Sequence, residues 1–450
     1  MSLRILSLLA PLIAALCLAG PAPAQTAPKA TADYTAGVAT EWFQLALTLT
    51  QQTPGFSPPV ASRALAYLAL ALYESVAPGM PAFRSLAGQL NELESLPTTQ
   101  LDEPLHWPTV SNAAMATMAR MMFSNASAEN LQRIELLERS LPLKYPQDFD
   151  PTQLTADITN RSQTYGKLMA MAILTWARTD GGHEGWGPLR RNQANYVPPS
   201  GPGAWSATAP TFAPPLLPWW GEVRTFALQG SNECAAPPPP PYSEDTSSTF
   251  YKDGLEVYTI STQATLEQRQ FALYWADDPV KTPTPAGHWV FIATDLLKLR
   301  KASLAEAAHV YAQLNLAMAD AFIAAWHTKF QLSVLRPVTY IQLVVDSNWV
   351  PELMHTPPFP EYPSGHSVQS SAAAAVMNRV FGANTRFIDN THNDRGWGPR
   401  TFNSFQQAAD EAALSRLYAG IHYRFGVRGG QVQGVCVASK VLKLQFTRTH

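Results

Sequence analysis

The stretch LAEAAHVYAQLNLAMADAFIAAWHTKFQLSVLRP, residues 304–337, carries the decisive pattern of this 450-residue chain. Apolar side chains recur at helical spacing, and Ala317, Phe322 and Trp326 lead to a cationic end at Lys329 and Arg336. Seven residues are close to two helical turns, so Lys329 and Arg336 are expected on nearly the same face of one helix, which Pro337 closes. Alone, such a pair is more often a solvated helix face. Aimed together at one place, it would suit an anion.

Helical patterning extends over most of the chain. From 33 to about 179, Trp42, Leu45 and Leu49 share one face, and Pro58-Pro59 start a second run through Leu65, Leu68 and Leu72. Runs at 115–123 and 165–176 continue it, with Met and Ala on the faces that would pack. Between 181 and 242 the composition turns to Gly, Pro and aromatic residues, including Pro198-Pro199 and Trp219-Trp220, as expected of a long irregular connection packed over the body. Helical periodicity returns at 266–275, at 288–299 and from Leu304 onward, and sustained strand alternation is absent. The expected fold is all-α: an N-terminal helical bundle over 33–180, the connection over 181–250, and a C-terminal helical domain over 251–450 that carries the site.

Arg4, an apolar run over 5–18 and Ala22-Pro23-Ala24 read as a cleavable signal peptide over 1–24, which predicts a periplasmic or secreted protein. Cys17 follows Leu16, a context unlike a lipid-attachment site. No later run of about eighteen uninterrupted apolar residues predicts a membrane span in the mature chain. Cys234 and Cys436 remain, either as one disulfide or as two small buried side chains. With 46% apolar and 15% charged residues the chain can bury a large core, and a net charge of −2 supplies no basic field for nucleic acid. Neither HExxH, clustered CxxC, a Gly-rich nucleotide loop nor Gly-x-Ser-x-Gly is present.

Two further pieces suit anion chemistry. Tyr362-Pro363-Ser364-Gly365-His366 precedes a run of good helix formers, so Ser364 is placed at a helix start where free N–H groups and the dipole favour an anion. Gly365 lets the backbone approach closely, and His366 stands where it can pass protons. In Ser415-Arg416-Leu-Tyr-Ala-Gly420-Ile-His422, Arg416 adds a bidentate fork and Gly420 permits a turn that brings His422 inward. His183 and Glu184, in the Gly-rich stretch 181–187, are minor candidates for lining an entrance, and His288 is expected to be structural.

The joint pattern is Lys329, six residues, Arg336-Pro337, then Pro363-Ser364-Gly365-His366, then Ser415-Arg416, five residues, His422. It resembles the three-part signature of the type 2 phosphatidic acid phosphatase (PAP2) and vanadium haloperoxidase superfamily. Thr356, Phe359, Tyr362 and Trp326 resemble the haloperoxidase branch, and 57–76 is similar to its soluble bacterial members. The resemblance implies two helical bundles and vanadate held by Lys329, Arg336, Ser364, Gly365 and Arg416, with His422 as the direct metal ligand and His366 as acid and base. It also implies peroxide polarised by Lys329, a halide oxidised to a hypohalous acid equivalent, and a halide pocket at Trp326 and Phe359. Peroxide, halide and an organic acceptor would be the small-molecule partners, and a homodimer is an open expectation.

Two other readings remain at this point. One is a PAP2-type phosphomonoesterase without cofactor, with His422 as nucleophile and His366 as general acid. The other is an exported oxyanion-binding protein without catalysis. The chain departs from the family where an Asp usually stands four residues after the third-piece histidine, since it reads His422-Tyr-Arg-Phe-Gly426. Without that carboxylate, phosphatase activity should be weak, Gly426→Asp should raise it if the local backbone tolerates the change, and vanadate should bind in both, since a backbone carbonyl could orient His422 instead.

Overall fold

The structure is a computed structural model that describes residues 29–99, 103–151, 154–185 and 196–448. The expected signal peptide lies outside the described residues. The first half holds α1 (Gly37–Gln52), α2 (Pro58–Val76), α3 (Trp107–Met122), α4 (Ala128–Lys144) and α5 (Ala156–Ala177). After the connection come α6 (Thr249–Thr262), α7 (Leu266–Tyr274), α8 (Thr284–Leu299), α9 (Leu304–Leu332), α10 (Pro337–Val344) and α11 (Gly365–Phe381). The chain closes with α12 (Phe405–Tyr418) and α13 (Arg424–Val441). Between α11 and α12 lies a small antiparallel pair, β1 (Phe387–Asp389) with β2 (Arg400–Phe402), too short to show as alternation in the sequence.

At the centre is α9. Ser303 caps it, with its side chain on the N–H of Glu306 and the Glu306 carboxylate returned to the N–H of Ser303. Its 29 residues are apolar nearly all round and are buried from Leu304 to Lys329 with few interruptions, the signature of a helix enclosed on every side. Across one side lies α2, in which Leu65, Leu68 and Leu72 are fully buried, each stabilising the fold by about 1.5–3 kcal/mol. Pro58–Gly79 is long and apolar enough to cross a membrane, but all of that helix window is buried in protein. Buried side chains from both halves, from Val38 to Phe446, form one continuous core.

The connection is bound tightly to that core. Asp320, on α9 and without solvent exposure, accepts the backbone N–H groups of Phe226, Ala227 and Leu228 at 2.7, 2.8 and 3.1 Å. Trp205 and Trp220 are buried, and Cys234 forms a disulfide with Cys436 of α13. On its other face α13 meets α11 backbone to backbone, because a Cβ at Gly434 would stand 2.1 Å from the carbonyl oxygen of Val368. That close approach brings the start of α11 against the start of α13.

Candidate active site

The first piece departs from its expected geometry. Helix α9 ends at Leu332, Ser333 turns into the left-handed region (φ 47°, ψ 45°), and Arg336 is extended (φ −77°, ψ 153°) as the residue before α10. Pro337 therefore opens a helix instead of closing one, as suits its fixed φ and missing N–H at a first helical position. Lys329 and Arg336 converge through this reversal and not through a shared helical face. Both are fully buried. The Lys329 ammonium donates to the carbonyls of Pro360 and Glu361 at 2.9 Å each, leaving one N–H for another acceptor. Arg336 donates Nε–H to Phe359 O at 2.8 Å and Nη1–H to Ile421 O at 2.9 Å.

The second piece is a helix start, as expected. Ser364 is the N-cap of α11, and its hydroxyl accepts the N–H of Ser367. Gly365 and His366 open the first turn, where backbone N–H groups lack helical acceptors. A Cβ on Gly365 would lie 3.6 Å from the Trp326 ring and occupy the space its bare backbone leaves. The Nε2 atom of His366 is shut off from solvent without a hydrogen-bond partner. Burial, then Arg416, pushes His366 well below the usual imidazole range, while Asp277 and the backbone of Trp275 and Ala276 oppose the shift.

In the third piece, Arg416 lies in the last turn of α12 and donates Nη1–H to Trp275 O at 3.1 Å, and its buried Nε–H has no partner. Gly420 has φ 75° and turns the chain, so that His422 re-enters the interior at 2% exposure. The His422 ring then bridges two charged groups, with Nδ1 2.7 Å from Glu361 Oε1 and Nε2 3.3 Å from Arg336 Nη1.

Glu361 was missed by sequence reasoning. It is fully buried and accepts the Tyr423 N–H as well as the imidazole. A Cβ at Gly426 would stand 2.1 Å from Glu361 Oε1, so the carboxylate fills the space into which a side chain at 426 would project. Two expectations are thereby corrected. A carboxylate, not a backbone carbonyl, stands at hydrogen-bond distance from His422 Nδ1, and an Asp side chain added at Gly426 would collide with Glu361. The available signal was an acidic residue three positions before Ser364 in a segment otherwise built to be buried.

The charge balance shows what the cradle fits. Lys329 and Arg336 share one carboxylate, Glu361, at close range, and Arg416 has Asp277 and Asp278 as its acidic neighbours. Burial and then Arg336 hold Lys329 well below the usual ammonium range, and burial lowers Arg336 to about 9 and Arg416 to about 10. Burial, followed by Arg336, Lys329 and Arg416, also depresses His422, which leaves it neutral beside the carboxylate. Buried cations that repel one another, unpartnered buried N–H groups and a helix N-terminus together suit a multiply charged tetrahedral oxyanion such as vanadate or phosphate.

Around this cradle, Trp326 and Phe359 pack at 4.9 Å between ring centroids, with the Lys329 ammonium 5.1 Å from the Phe359 centroid. His288 is structural in its contacts: Nδ1 lies 2.9 Å from Asp277 and Nε2 2.7 Å from Asp389. Burial opposes its charge, but the two carboxylates outweigh it and raise its pKa to about 10. The backbone N–H of His183 is held by Asp180, which also pairs with Arg63 at 2.6 Å. A cavity of about 1020 Å³ beside Asp180, Trp219 and Arg224 has none of the cradle residues in its lining.

Comparison with known proteins agrees with this geometry. Residues 309–448 match the family model of the VCPO second helical-bundle domain. The structure of a bacterial vanadium-dependent iodoperoxidase is 33% identical, with a TM-score of 0.81 over 93% of this chain and 98% of that one. Two bacterial vanadium-dependent chloroperoxidase structures, holo and apo, share the fold at 17% and 15% identity, with TM-scores of 0.63 and 0.64. They align over 86% and 87% of this chain and 92% and 96% of theirs. No curated protein matches the chain. A helical fold shared over nearly the whole length, with a cationic oxyanion cradle at its centre, places the chain in the vanadium-dependent haloperoxidase family of the PAP2-like superfamily.

Proposed function

We propose that the protein is an exported vanadate-dependent haloperoxidase that uses hydrogen peroxide to oxidise a halide. Halide, peroxide and one proton give a hypohalous acid and water. When bound, vanadate supplies the electrophilic centre for that oxidation. Lys329, Arg336 and Arg416 would hold its oxygens by charge-assisted hydrogen bonds, and Ser364 and Gly365 would add donors at the start of α11. His422 would offer Nε2 as the vanadium ligand. His366, neutral and with a free Nε2, takes up and returns protons. Lys329 has one N–H left after its bonds to Pro360 O and Glu361 O and would offer it to an oxygen of the bound group, and Trp326 with Phe359 would give the halide a dry aromatic wall.

The observation that carries this reading is His422 fixed between Glu361 on Nδ1 and Arg336 on Nε2, an arrangement that favours an unprotonated Nε2. The test is halogenation of an organic acceptor by the purified protein with vanadate, peroxide and each halide in turn. Iodide comes first, because the 33%-identical relative is an iodoperoxidase. Turnover that requires vanadate is expected, and its absence with every halide would refute the reading. The Glu361–His422 pair favours one second reading, since a carboxylate on the far nitrogen also suits a phosphohistidine nucleophile. Phosphomonoester hydrolysis without vanadate, measured in parallel, decides between them.

A further inference from the structure

We infer that Glu361 is the positioning residue of His422 and that Gly426 is its structural counterpart, so that one carboxylate site in this protein can be reached from either of two chain positions. Nδ1 lies 2.7 Å from Glu361 Oε1, and with the carboxyl ionised the imidazole proton belongs on that nitrogen. Independently, the Arg336 guanidinium stands 3.3 Å from Nε2, and a guanidinium can only donate, which requires an unprotonated Nε2. The two partners thus specify the same tautomer. The Tyr423 N–H, also on Oε1 at 3.1 Å, fixes the carboxylate to the residue that follows the histidine. Val334 O accepts the Glu361 N–H at 2.9 Å, and the Glu361 carbonyl receives the Lys329 ammonium. Glu361 is therefore tied through its backbone to the first piece of the cradle and through its side chain to the third.

Gly426 lies in the first turn of α13, and its φ is not positive, so no backbone requirement explains the glycine. What explains it is space: an added Cβ would lie 2.1 Å from Oε1 and 2.8 Å from Cδ of Glu361. A carboxylate carried at 426 would enter the volume Glu361 now fills. The two positions are mutually exclusive donors of one group.

The inference rests on His422 as the vanadium-bonding residue, and the experiment separates the two claims. Vanadate affinity is measured by titration calorimetry with inorganic vanadate, and the tautomer by nitrogen NMR of histidine-labelled protein. In the parent, vanadate binds and His422 shows Nδ1 protonated. E361A should lose roughly tenfold or more in affinity, as expected for a lost charge-assisted hydrogen bond, and should lose the single tautomer. E361Q, whose amide oxygen can take the same bond, should keep the tautomer. G426D alone should bind worse than the parent, because two carboxylates meet, whereas E361A/G426D should return to within a few-fold of the parent and regain the tautomer. If E361A does not fold, Glu361→Met carries the same expectation. Failure of the parent to bind vanadate would overturn the functional reading. Binding by the parent, with the double variant no better than E361A or with the tautomer unchanged in E361A, would overturn this inference alone.

Discussion

Replacing Lys329 by Met keeps most of the stem that packs near Phe359 and removes the charge, so it isolates what the ammonium gives to an anion. Two of its three N–H bonds are spent on Pro360 O and Glu361 O, each at 2.9 Å, and the third is available to a ligand oxygen. A hydrogen bond from a charged donor contributes about 1.5–3 kcal/mol, which is about 10- to 140-fold in affinity. Phosphate is the probe of choice because it needs neither peroxide nor metal, and calorimetry reads its affinity directly. The dependence on pH sharpens the test. Burial and Arg336 hold Lys329 well below its ordinary value, so the folded, anion-free protein binds fewer protons there than the unfolded chain. Stability from this group therefore rises with pH between the lowered value and the usual one, and anion binding, which favours the charged ammonium, draws in a proton. The ratio of parent to variant affinity should fall as pH rises through that window. A variant that binds phosphate within about twofold of the parent at every pH would show that Lys329 does not face the anion, against the one bond expected of it.

Three more outcomes follow from other parts of the molecule. His422→Ala should abolish tight vanadate binding while His366→Ala mainly lowers turnover, and equal vanadate affinity in His422→Ala and the parent would refute the ligand assignment. Reducing Cys234–Cys436, which spans 202 residues, should lower stability by up to about 5 kcal/mol on a chain-entropy account; identical urea midpoints with and without reductant would contradict it. His106 is held down to about 4 by burial, so the folded chain binds fewer protons than the unfolded one between about pH 4 and 6.5, and stability is lost on acidification. The loss attributable to this residue has a ceiling of roughly 3 kcal/mol, and His106→Gln should flatten that part of the stability profile in acid titrations.

The parts of the site that were legible in the sequence are those whose chemistry is local. Ser364-Gly365-His366 reads as a helix start because capping depends on adjacent residues, and it is one. Gly420 reads as a turn, and its positive φ agrees. Helical faces such as Leu65, Leu68 and Leu72 follow from periodicity alone. Less visible were relations between distant positions. The heptad spacing of Lys329 and Arg336 suggested a common helix, but Ser333 breaks it, because a left-handed cap at a residue other than glycine leaves little trace in a sequence. Glu361 looked like one acid in a Pro-rich segment, and only folding sets it opposite a glycine 65 positions later. The role of Asp320, which receives three backbone N–H groups of the connection, was hidden in an otherwise apolar helix for the same reason.

The enclosure of α9 limits how this enzyme can be taken apart. Its C-terminal turn carries Lys329, yet one side of the helix is covered by α2 from the far end of the chain and another by the loop that Asp320 holds. A fragment beginning after the connection would contain every cradle residue and still expose to water the apolar side of α9 that α2 and the connection cover. Such a fragment should aggregate before it binds anything. The N-terminal half thus covers a face of α9 that the C-terminal half would otherwise expose, and the two are expected to fold soluble only together.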